Sequence, residues 1–291
     1  MKFITHEDIL DLDILPTQCL EWVSEIIESK EQSVLKPKIS MPFENSGFYN
    51  TMPAMLPHKQ TVGVKVVNRY ANRRPSLDSQ LLLYDLATGK FLALLDANYI
   101  TTMRTGAVAA HSIRLLAKQD FFEIGMIGLG NTARAAFIML MESFPERKFQ
   151  VKLKAYKDQH RQFIETFQRY QPRVEFMACE TNEEVVRGSD VIISSVTYSD
   201  GILCPDDCFK EGCLVVPIHT RGFQNCDLFF DKVFADDYGH VKHFQYFDRF
   251  RSFGEVSGVV TNKITGRDNN TQRILVYNIG IAIHDIYFEN L

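Results

Sequence analysis

The sequence lacks the features that mark membrane proteins and nucleic-acid-binding proteins. It has no apolar run near the ~20 residues needed to span a bilayer, and its first residues are acidic instead of forming a basic segment before an apolar one. Its formal net charge of -4 gives no general attraction to nucleic acid or to an anionic membrane. We therefore expect a cytoplasmic protein with neither kind of partner.

Cysteine and histidine patterns typical of metal sites are also missing. The six cysteines contain no CxxC spacing, so we expect reduced thiols. Cys204, Cys208 and Cys213 are close in sequence, but their spacing matches no common zinc module. His240 and His243 form an HxxH in a predicted loop, a pattern that is more often structural than metal-binding. The sequence predicts no metal.

Repeats, low-complexity tracts and long flexible linkers are absent as well. What remains is an ordinary globular composition over 291 residues, with 45% apolar and 23% charged residues. This length suits one large domain or two modest ones.

The stretch from residue 123 to 137 predicts a dinucleotide-binding turn. A short apolar strand runs into a GxGxxA pattern and then into an alanine-rich helix. The first glycine permits a tight turn, the second lets N–H groups approach a pyrophosphate, and a small third residue allows close helix packing. The helix N-terminus adds free N–H groups for the phosphates. Since this pattern alone can also be an ordinary turn, its context decides. The predicted cofactor contacts here are Gly128, Gly130, Asn131, Thr132 and Ala133.

A strand–helix rhythm surrounds this turn, beginning near residue 121 and fading near 267. Strands are predicted at 149–156, 174–177, 190–196, 214–218 and 232–235. In open α/β folds, ligands bind at the carboxyl ends of such strands. The residues predicted to meet the cofactor or substrate at this edge are Ser195, Val196, Thr197, His219 and Arg221.

The end of the second strand bears on the choice between NAD and NADP. An acidic residue there would bind the free 2′-hydroxyl of NAD. Tyr156 and Lys157 occupy this position and Arg161 follows one turn later, so cations favour the 2′-phosphate of NADP. Asp158 could reverse this preference, and a solvated helix start is the alternative reading. We predict NAD or NADP, with NADP favoured.

The chain before the turn predicts a second, mixed domain. A capped helix is expected within 5–30, an irregular proline-broken segment from 36 to 55, and strands at 61–70, 80–85 and 91–95. Lys65 lies in the first of these strands among valines. It is either on an exposed sheet face or an inward-pointing charge held for an acidic ligand.

A helix predicted from 98 to 118 carries Arg104 near its start. A cation there is unfavourable to the helix dipole, but an anion could be bound by the arginine and the N–H groups together. The conflict between local preference and residue choice indicates a site.

These patterns predict an α/β fold with a Rossmann NAD(P)-binding domain at residues 119–267. This domain would be inserted into an α+β domain built from residues 1–118 and 268–291. The assignment of the C-terminal segment goes beyond the strand pattern itself.

Several motifs match a known family in order and with few gaps. From about residue 35 to the end, the chain resembles the ornithine cyclodeaminase and mu-crystallin family. The matching segments are 52–54 (MPA), 63–67 (GVKVV), 85–89 (DLATG), 100–107 (ITTMRTGA), 128–133 (GLGNTA), 189–193 (SDVII) and 278–285 (NIGIAIHD).

The resemblance implies a homodimer whose non-Rossmann domain binds the substrate and mediates dimerisation. It implies that Lys65 and Arg104 hold the substrate carboxylate, and that Lys38 replaces a further family arginine. Lysine binds as a point charge where arginine would bind bidentately, so substrate orientation would differ.

The sequence departs from the family after residue 218. Aligning Asp227 and Leu228 with the family's acidic-leucine pair puts Arg221 where cyclodeaminases have an aspartate. Arginine cannot act as a base near neutral pH, which argues against ornithine cyclisation. Arg221 instead suggests a second acidic group on the substrate.

The leading hypothesis is NAD(P)-dependent hydride transfer at the Cα–N bond of a small α-amino or α-imino acid. The candidate catalytic residues are Lys65, Arg104, His219 and Arg221. His219 would exchange protons with the amine or serve as a hydrogen-bonding scaffold residue. The alternatives are an ornithine cyclodeaminase that recycles its cofactor and a non-catalytic NADP-binding protein like mu-crystallin.

Overall fold

The computed structural model of the chain describes residues 2–197, 199 and 201–288. The predicted domain ends at residue 1 and at 289–291 lie outside the described residues. Contacts between Cα atoms divide the chain into two compact units. One unit combines the residues up to 104 with those from 280 onward, and the other comprises residues 105–279. The sequence-based boundaries at 118 and 268 differ from this division by the larger part of a helix on the first side and by one short strand on the second.

The first unit is built on a mixed sheet. Its described strands have the order β1-β7-β6-β5-β4-β2, with β3 also paired to β4. All pairs are antiparallel except β1 with β7. The strands are β1 (Lys2–Ile4), β2 (Val34–Leu35), β3 (Ile39–Phe43), β4 (Gly47–Leu56), β5 (Thr61–Arg69), β6 (Leu77–Asp85) and β7 (Phe91–Asp96). Its helices are α1 (His6–Leu10), α2 (Pro16–Glu28) and, from the C-terminal segment, α9 (Ala282–Tyr287).

The predicted N-terminal helix forms as α1 and α2. Thr5 caps α1 in a capping box with Asp8, as the sequence indicates. In α2 the apolar residues at helical spacing, among them Val23 and Ile26, are fully buried. Together with α9, this face covers the sheet and forms the core of the unit.

The prediction of an irregular segment from 36 to 55 is wrong, because β3 and β4 form there. Prolines were read as breakers, but both strand prolines occupy tolerated positions. Pro42 lies in β3, which among the described strands is paired with β4 alone. Pro53 lies between the part of β4 that pairs with β3 and the part that pairs with β2.

The second unit contains a parallel sheet in the described residues, with the order β10-β9-β8-β11-β12-β15-β13-β14. The chain moves one way from β8 to β10 and the other way from β11, so a topological switch point lies between β8 and β11. This confirms the predicted Rossmann-like α/β fold. The strands are β8 (Glu123–Ile127), β9 (Phe149–Lys154), β10 (Val174–Cys179), β11 (Val191–Ser194), β12 (Leu214–Pro217), β13 (Lys232–Ala235), β14 (Phe253–Glu255) and β15 (Ile274–Tyr277).

Helices accompany these strands along the chain. They are α3 (Asn98–Leu116), α4 (Asn131–Ser143), α5 (Gln159–Thr166), α6 (Asn182–Val186), α7 (Tyr238–Val241) and α8 (Val256–Val260). The boundary between the two units falls within α3. None of the helices in the described part of the chain is long and apolar enough to cross a membrane.

Two strands correct the predicted C-terminal boundary of the Rossmann domain. β14 is not predicted, and β15 was assigned to the substrate-binding domain together with the rest of 268–291. In the structure β15 pairs with β12 and β13, inside the parallel sheet. The sequence of a short apolar strand is compatible with either domain, because its local pattern does not indicate which strand it pairs with.

Candidate active site

Three charged side chains form a buried cluster in the first unit. Asp285 Oδ1 accepts hydrogen bonds from Lys65 Nζ at 2.7 Å and from Arg104 Nε at 2.8 Å. Lys65 and Asp285 are 0% exposed and Arg104 is 5% exposed. Of the two environments considered for Lys65, the structure therefore has the inward-pointing one, with an acidic partner from the chain itself. We call Lys65, Arg104 and Asp285 the charge cluster.

The local sequence explains how the cluster is assembled. Alternation along β5 buries Gly63 and Lys65 on the same face. A Cβ on Gly63 would lie 2.9 Å from Cγ1 of Ile286, so the glycine allows α9 to approach β5 closely. Gly280 has a φ of +90°, and a Cβ there would lie 2.7 Å from Nη1 of Arg104. Both glycines thus make room for the contacts of the cluster.

The cluster carries more positive than negative charge. Burial, followed by the charge of Arg104, lowers the pKa of Lys65 to about 7, against the opposing effect of Asp285. Lys38, which is half-buried, lowers the pKa of Lys65 further through its charge. Burial alone would raise the pKa of Asp285, but Arg104 and Lys65 outweigh it and the pKa is lowered. One carboxylate thus faces two buried cations, an arrangement suited to a second anion.

The turn from Gly128 to Gly130 joins β8 to α4, as the sequence predicts. Gly128 has a φ of +80°, and a Cβ there would lie 2.9 Å from the backbone of Ser195. Gly130 is exposed, with no atom within 4 Å of an added Cβ. Ala133, in the first turn of α4, is fully buried. The turn is therefore packed at its first glycine and open to solvent at its second.

The start of α4 leaves room for phosphates. Asn131 is exposed and Thr132 half-buried at this helix N-terminus, where the first N–H groups have no partner within the helix. Ser195 Oγ is buried and has no hydrogen-bond partner among the described residues. Val196 and Thr197 follow it beyond β11 and become progressively more exposed. These groups fit a pyrophosphate with its attached riboses.

The end of β9 carries cations and one paired acid. Lys157 is exposed, has a φ of +48°, and its Nζ lies 5.3 Å from the centre of the Tyr156 ring. Arg161 Nη1 lies 3.6 Å from Asp158 Oδ1 on the surface. The charge of Asp158, the acid that could contact a ribose, is therefore partly neutralised by Arg161.

His219 lies just beyond β12 in a largely buried position. Its Nε2 is 2.6 Å from Ser194 Oγ at the end of β11. Burial lowers the pKa of His219 to about 4, only partly offset by a hydrogen bond with the backbone of Arg221. The imidazole is therefore neutral near physiological pH.

Arg221 is exposed and lines an open cavity of about 730 Å³ in the second unit. Asp227, six positions later, is buried and accepts a hydrogen bond from the Tyr277 hydroxyl at 2.9 Å. Burial raises the pKa of Asp227 to about 7. Asp227 is not among the described residues that line the cavity, and none of those is acidic.

Asp285 is the site residue that sequence reasoning missed. It lay within the matching segment 278–285 but was given no role. A usable signal existed, because an inward-pointing Lys65, one of the two environments considered for it, would require an acidic partner. Which acid supplies it depends on the packing of α9 against β5, and the sequence pattern does not specify that packing.

Comparisons with known proteins agree with this architecture. The model of the ornithine cyclodeaminase/mu-crystallin family matches residues 3–290. The nodulation efficiency protein NfeD of Rhizobium meliloti is 29% identical over 261 residues, which cover 86% of this chain and 80% of that protein. An N-((2S)-2-amino-2-carboxyethyl)-L-glutamate dehydrogenase of Staphylococcus aureus is 24% identical over 276 residues, with coverages of 87% and 81%.

The fold also matches a solved structure. Thermococcus litoralis Delta(1)-pyrroline-2-carboxylate reductase, in complex with NADH and L-proline, aligns with a TM-score of 0.87. Its sequence is 23% identical, and the alignment covers 99% of this chain and 95% of that one. At this identity the likeness establishes the fold.

Proposed function

Because the chain belongs to the ornithine cyclodeaminase/mu-crystallin family, we propose that it is an NAD(P)-dependent oxidoreductase acting on a small α-amino or α-imino acid. In the oxidative direction, a hydride would pass from Cα to the oxidised nicotinamide, the amine nitrogen would lose a proton to solvent, and the Cα–N bond would become an imine. The reverse reaction reduces the imine. The relatives named as a dehydrogenase and as a pyrroline-2-carboxylate reductase support this reaction class.

The excess positive charge of the charge cluster is the observation that carries the proposal. Lys65 and Arg104 share a single oxygen of Asp285, so a substrate carboxylate would balance the second cation. Holding the carboxylate fixes the orientation of Cα, which is the main contribution that a protein makes to cofactor-based hydride transfer. Lys38, whose charge already acts on Lys65, is proposed as a third contact.

The open dinucleotide turn would hold the cofactor. Gly128 and Gly130 give the pyrophosphate access to backbone N–H groups at the start of α4. Ser195, Val196 and Thr197 are proposed to contact the cofactor beyond β11. Lys157 and Arg161 would favour NADP over NAD, because Asp158 is paired with Arg161.

We assign His219 a positioning role instead of proton exchange. A neutral imidazole bonded to Ser194 can orient the loop beyond β12 but is a poor proton donor near neutral pH.

The test is a screen for net cofactor oxidation. Purified protein with NADPH or NADH is given cyclic imino acids, or 2-oxo acids with ammonia or methylamine, and the absorbance of reduced nicotinamide is followed. We expect net consumption that falls at least tenfold in Lys65→Ala and Arg104→Ala. Proline formation from ornithine without net cofactor change would instead identify a cyclodeaminase. Dinucleotide binding without turnover of any acid would identify a binding protein.

The outer face of the first sheet supports a homodimer. Every residue of β3 is exposed in the single chain, including Ile39 at 61% and Met41 at 54%. Phe43, Tyr49 and Tyr70 form an exposed aromatic group beside them. A second copy of the chain that covers this strand would remove this apolar surface from water.

A further inference from the structure

The helix α9 is too short to be held in place by its own hydrogen bonds. It has six residues, all of which are buried. Isolated helices of fewer than about 12 residues are marginal in water, so tertiary contacts determine where such a helix lies. Since α9 carries Asp285, the same contacts determine where the carboxylate of the charge cluster lies.

Opposite sides of α9 contact different elements of the first unit. Asp285 faces β5, where its Oδ1 accepts the hydrogen bond from Lys65 Nζ. Tyr287 lies two positions later and therefore points away from Asp285. Its hydroxyl donates a hydrogen bond to Oε2 of Glu25 on α2. The helix is thus held between α2 and β5.

The hydrogen bond between Tyr287 and Glu25 joins a buried donor to an exposed acid. Tyr287 is 5% exposed, whereas Glu25 lies on the exposed side of α2. Burial, followed by this hydrogen bond, raises the pKa of Tyr287 to about 12, so the phenol remains a donor at physiological pH. A hydrogen bond to a carboxylate is roughly twice as strong as one between neutral groups. This bond is therefore a strong constraint on the end of α9.

The ring of Tyr287 also contacts the turn that leads into β5. Lys59 Nζ lies 5.0 Å from the centre of the ring, and β5 begins two residues after this lysine. Ile286, next to Tyr287, packs so closely on β5 that a Cβ on Gly63 would lie 2.9 Å from its Cγ1. A movement of Tyr287 away from α2 would therefore change the contacts between α9 and β5.

The charge cluster is sensitive to a displacement of Asp285. Its two hydrogen bonds, at 2.7 and 2.8 Å, converge on the single atom Oδ1. Burial and the charges of Arg104 and Lys38 lower the pKa of Lys65, whereas the charge of Asp285 and its hydrogen bond raise it. A displaced Asp285 would therefore hold both cations less firmly and leave Lys65 with a lower pKa.

We propose that Tyr287 and Glu25 are positioning residues of the carboxylate site. The bond between them fixes the place of α9 and so keeps Asp285 in contact with both cations of the charge cluster. The assignment rests on the proposed function, in which this cluster binds the substrate carboxylate. Tyr287 and Glu25 act on that carboxylate only through Asp285.

The experiment removes the bond and follows the binding of a carboxylate. The inhibition constant of a simple carboxylic acid against NADPH oxidation is measured from about pH 6 to 9, together with kcat and KM. The variants are Tyr287→Phe, Glu25→Gln and their combination. Tyr170→Phe is the matched control, because Tyr170 is a buried tyrosine of the second unit whose hydroxyl donates to Glu142 Oε1 at 2.9 Å.

We expect the inhibition constant to rise about tenfold in Tyr287→Phe with a smaller change in kcat, since the defect lies in carboxylate binding. The pH at which affinity begins to decline should fall by roughly half a unit, because Asp285 then raises the pKa of Lys65 less. Glu25→Gln keeps an acceptor and should show part of both effects. The double variant should be no worse than Tyr287→Phe, since both changes remove the same bond.

Three results would overturn the assignment. The first is an inhibition constant and a pH profile that are unchanged in Tyr287→Phe, even if its melting temperature falls, because the bond would then be purely structural. The second is an equal change in Tyr170→Phe. The third is a double variant in which the effects of the two single changes add.

The proposed function and the positioning role can fail separately. If no acid binds to the wild type, the carboxylate site itself is refuted, and the position of Asp285 is then tested by urea denaturation. The stability lost in Asp285→Asn should be smaller in a Tyr287→Phe background than in the wild type, because the acid already contacts its cations less closely. An equal loss in both backgrounds would refute the positioning role.

Discussion

Lys65 and Asp285 lie 2.7 Å apart although 220 positions separate them in the sequence. The lysine belongs to a strand in the first quarter of the chain, and the aspartate belongs to the last described helix. Their contact is fully buried and shared with Arg104. The proposed carboxylate site therefore depends on residues from both chain ends, and the following predictions begin with this pair.

Removing the acid should destabilise the protein. Asp285→Asn leaves Lys65 and Arg104 buried without a counter-charge, and breaking such a pair from one side costs about 3–5 kcal/mol. Urea denaturation of Asp285→Asn, Lys65→Met and the double variant gives the coupling energy. We expect the double variant to be more stable than the sum of the single changes implies. Strict additivity would mean that the two residues do not interact energetically.

Substrate affinity should fall as the pH rises above about 7. The protonated form of Lys65 binds a carboxylate, and the pKa of this lysine in the substrate-free protein is lowered to about 7. Affinity is therefore complete below this pH and declines above it, by at most tenfold per pH unit. The decline ends at the higher pKa that Lys65 has once an anion is bound. Competitive inhibition by a simple carboxylic acid across this range measures the effect.

The variant Lys65→Met provides the control for that pH profile. It replaces the ammonium with an apolar side chain of similar length. The affinity for the carboxylic acid should therefore be weak and nearly independent of pH between about 6 and 9. A wild-type slope that persists in Lys65→Met would assign the titration to another group.

The two glycines of the dinucleotide turn should respond differently to alanine. Gly128→Ala forces a positive φ on a residue with a Cβ and places that Cβ 2.9 Å from the Ser195 backbone, so the melting temperature should fall. Gly130 has an extended backbone with a φ of −76° and free space around it. Gly130→Ala should therefore keep the melting temperature of the cofactor-free protein but weaken dinucleotide binding at least tenfold. Equal dinucleotide affinity in wild type and Gly130→Ala would place the pyrophosphate elsewhere.

Cofactor preference should depend on Lys157 and Arg161. We expect Lys157→Asn to lower the preference for NADPH over NADH by about tenfold, because one phosphate contact is lost and asparagine tolerates the φ of +48°. Arg161→Ser should act in the same direction and also release Asp158. Dissociation constants for both cofactors, measured by fluorescence titration, test this. A preference that neither change affects would show that the 2′ position is recognised by other groups.

The exposed strand β3 should govern assembly. Met41→Lys places a charge on a strand that is exposed throughout. The dissociation constant of a dimer formed through this strand should therefore rise at least tenfold. Met177→Lys is the matched control, because Met177 is 40% exposed on β10 of the other unit. Light scattering after size exclusion reports the mass. A Met41→Lys protein that remains as associated as wild type would exclude β3 as the interface.

The parts of the fold that depend on local interactions could be predicted from the sequence, whereas the parts that depend on long-range pairing could not. The turn from Gly128 to Ala133 was predictable because its backbone demands are local and only glycine or a small residue meets them. The segment 36–55 was mispredicted because the tolerance of Pro42 and Pro53 depends on which neighbouring strand lies beside each one. The place of β15 in the parallel sheet is a matter of long-range pairing, which its apolar sequence does not encode.

The candidate site shows the same distinction. Lys65 and Arg104 were identifiable, since each is a cation where local rules disfavour one. Asp285 was not assigned a role, because an acid near the end of an apolar helix has several possible partners. The neutral state of His219 likewise could not be predicted from the sequence, since burial in the folded chain lowers its pKa.

The closeness of α9 to β5, which Gly63 permits, has a consequence for the order of events during synthesis. Lys65 and Arg104 leave the ribosome long before Asp285, and α9 follows only after the whole parallel sheet has been translated. Until then Lys65 and Arg104 lack Asp285, and α2 covers the first sheet without α9. The strands of the second unit are thus all synthesised before α9, whereas the proposed carboxylate site is complete only after α9 has been translated.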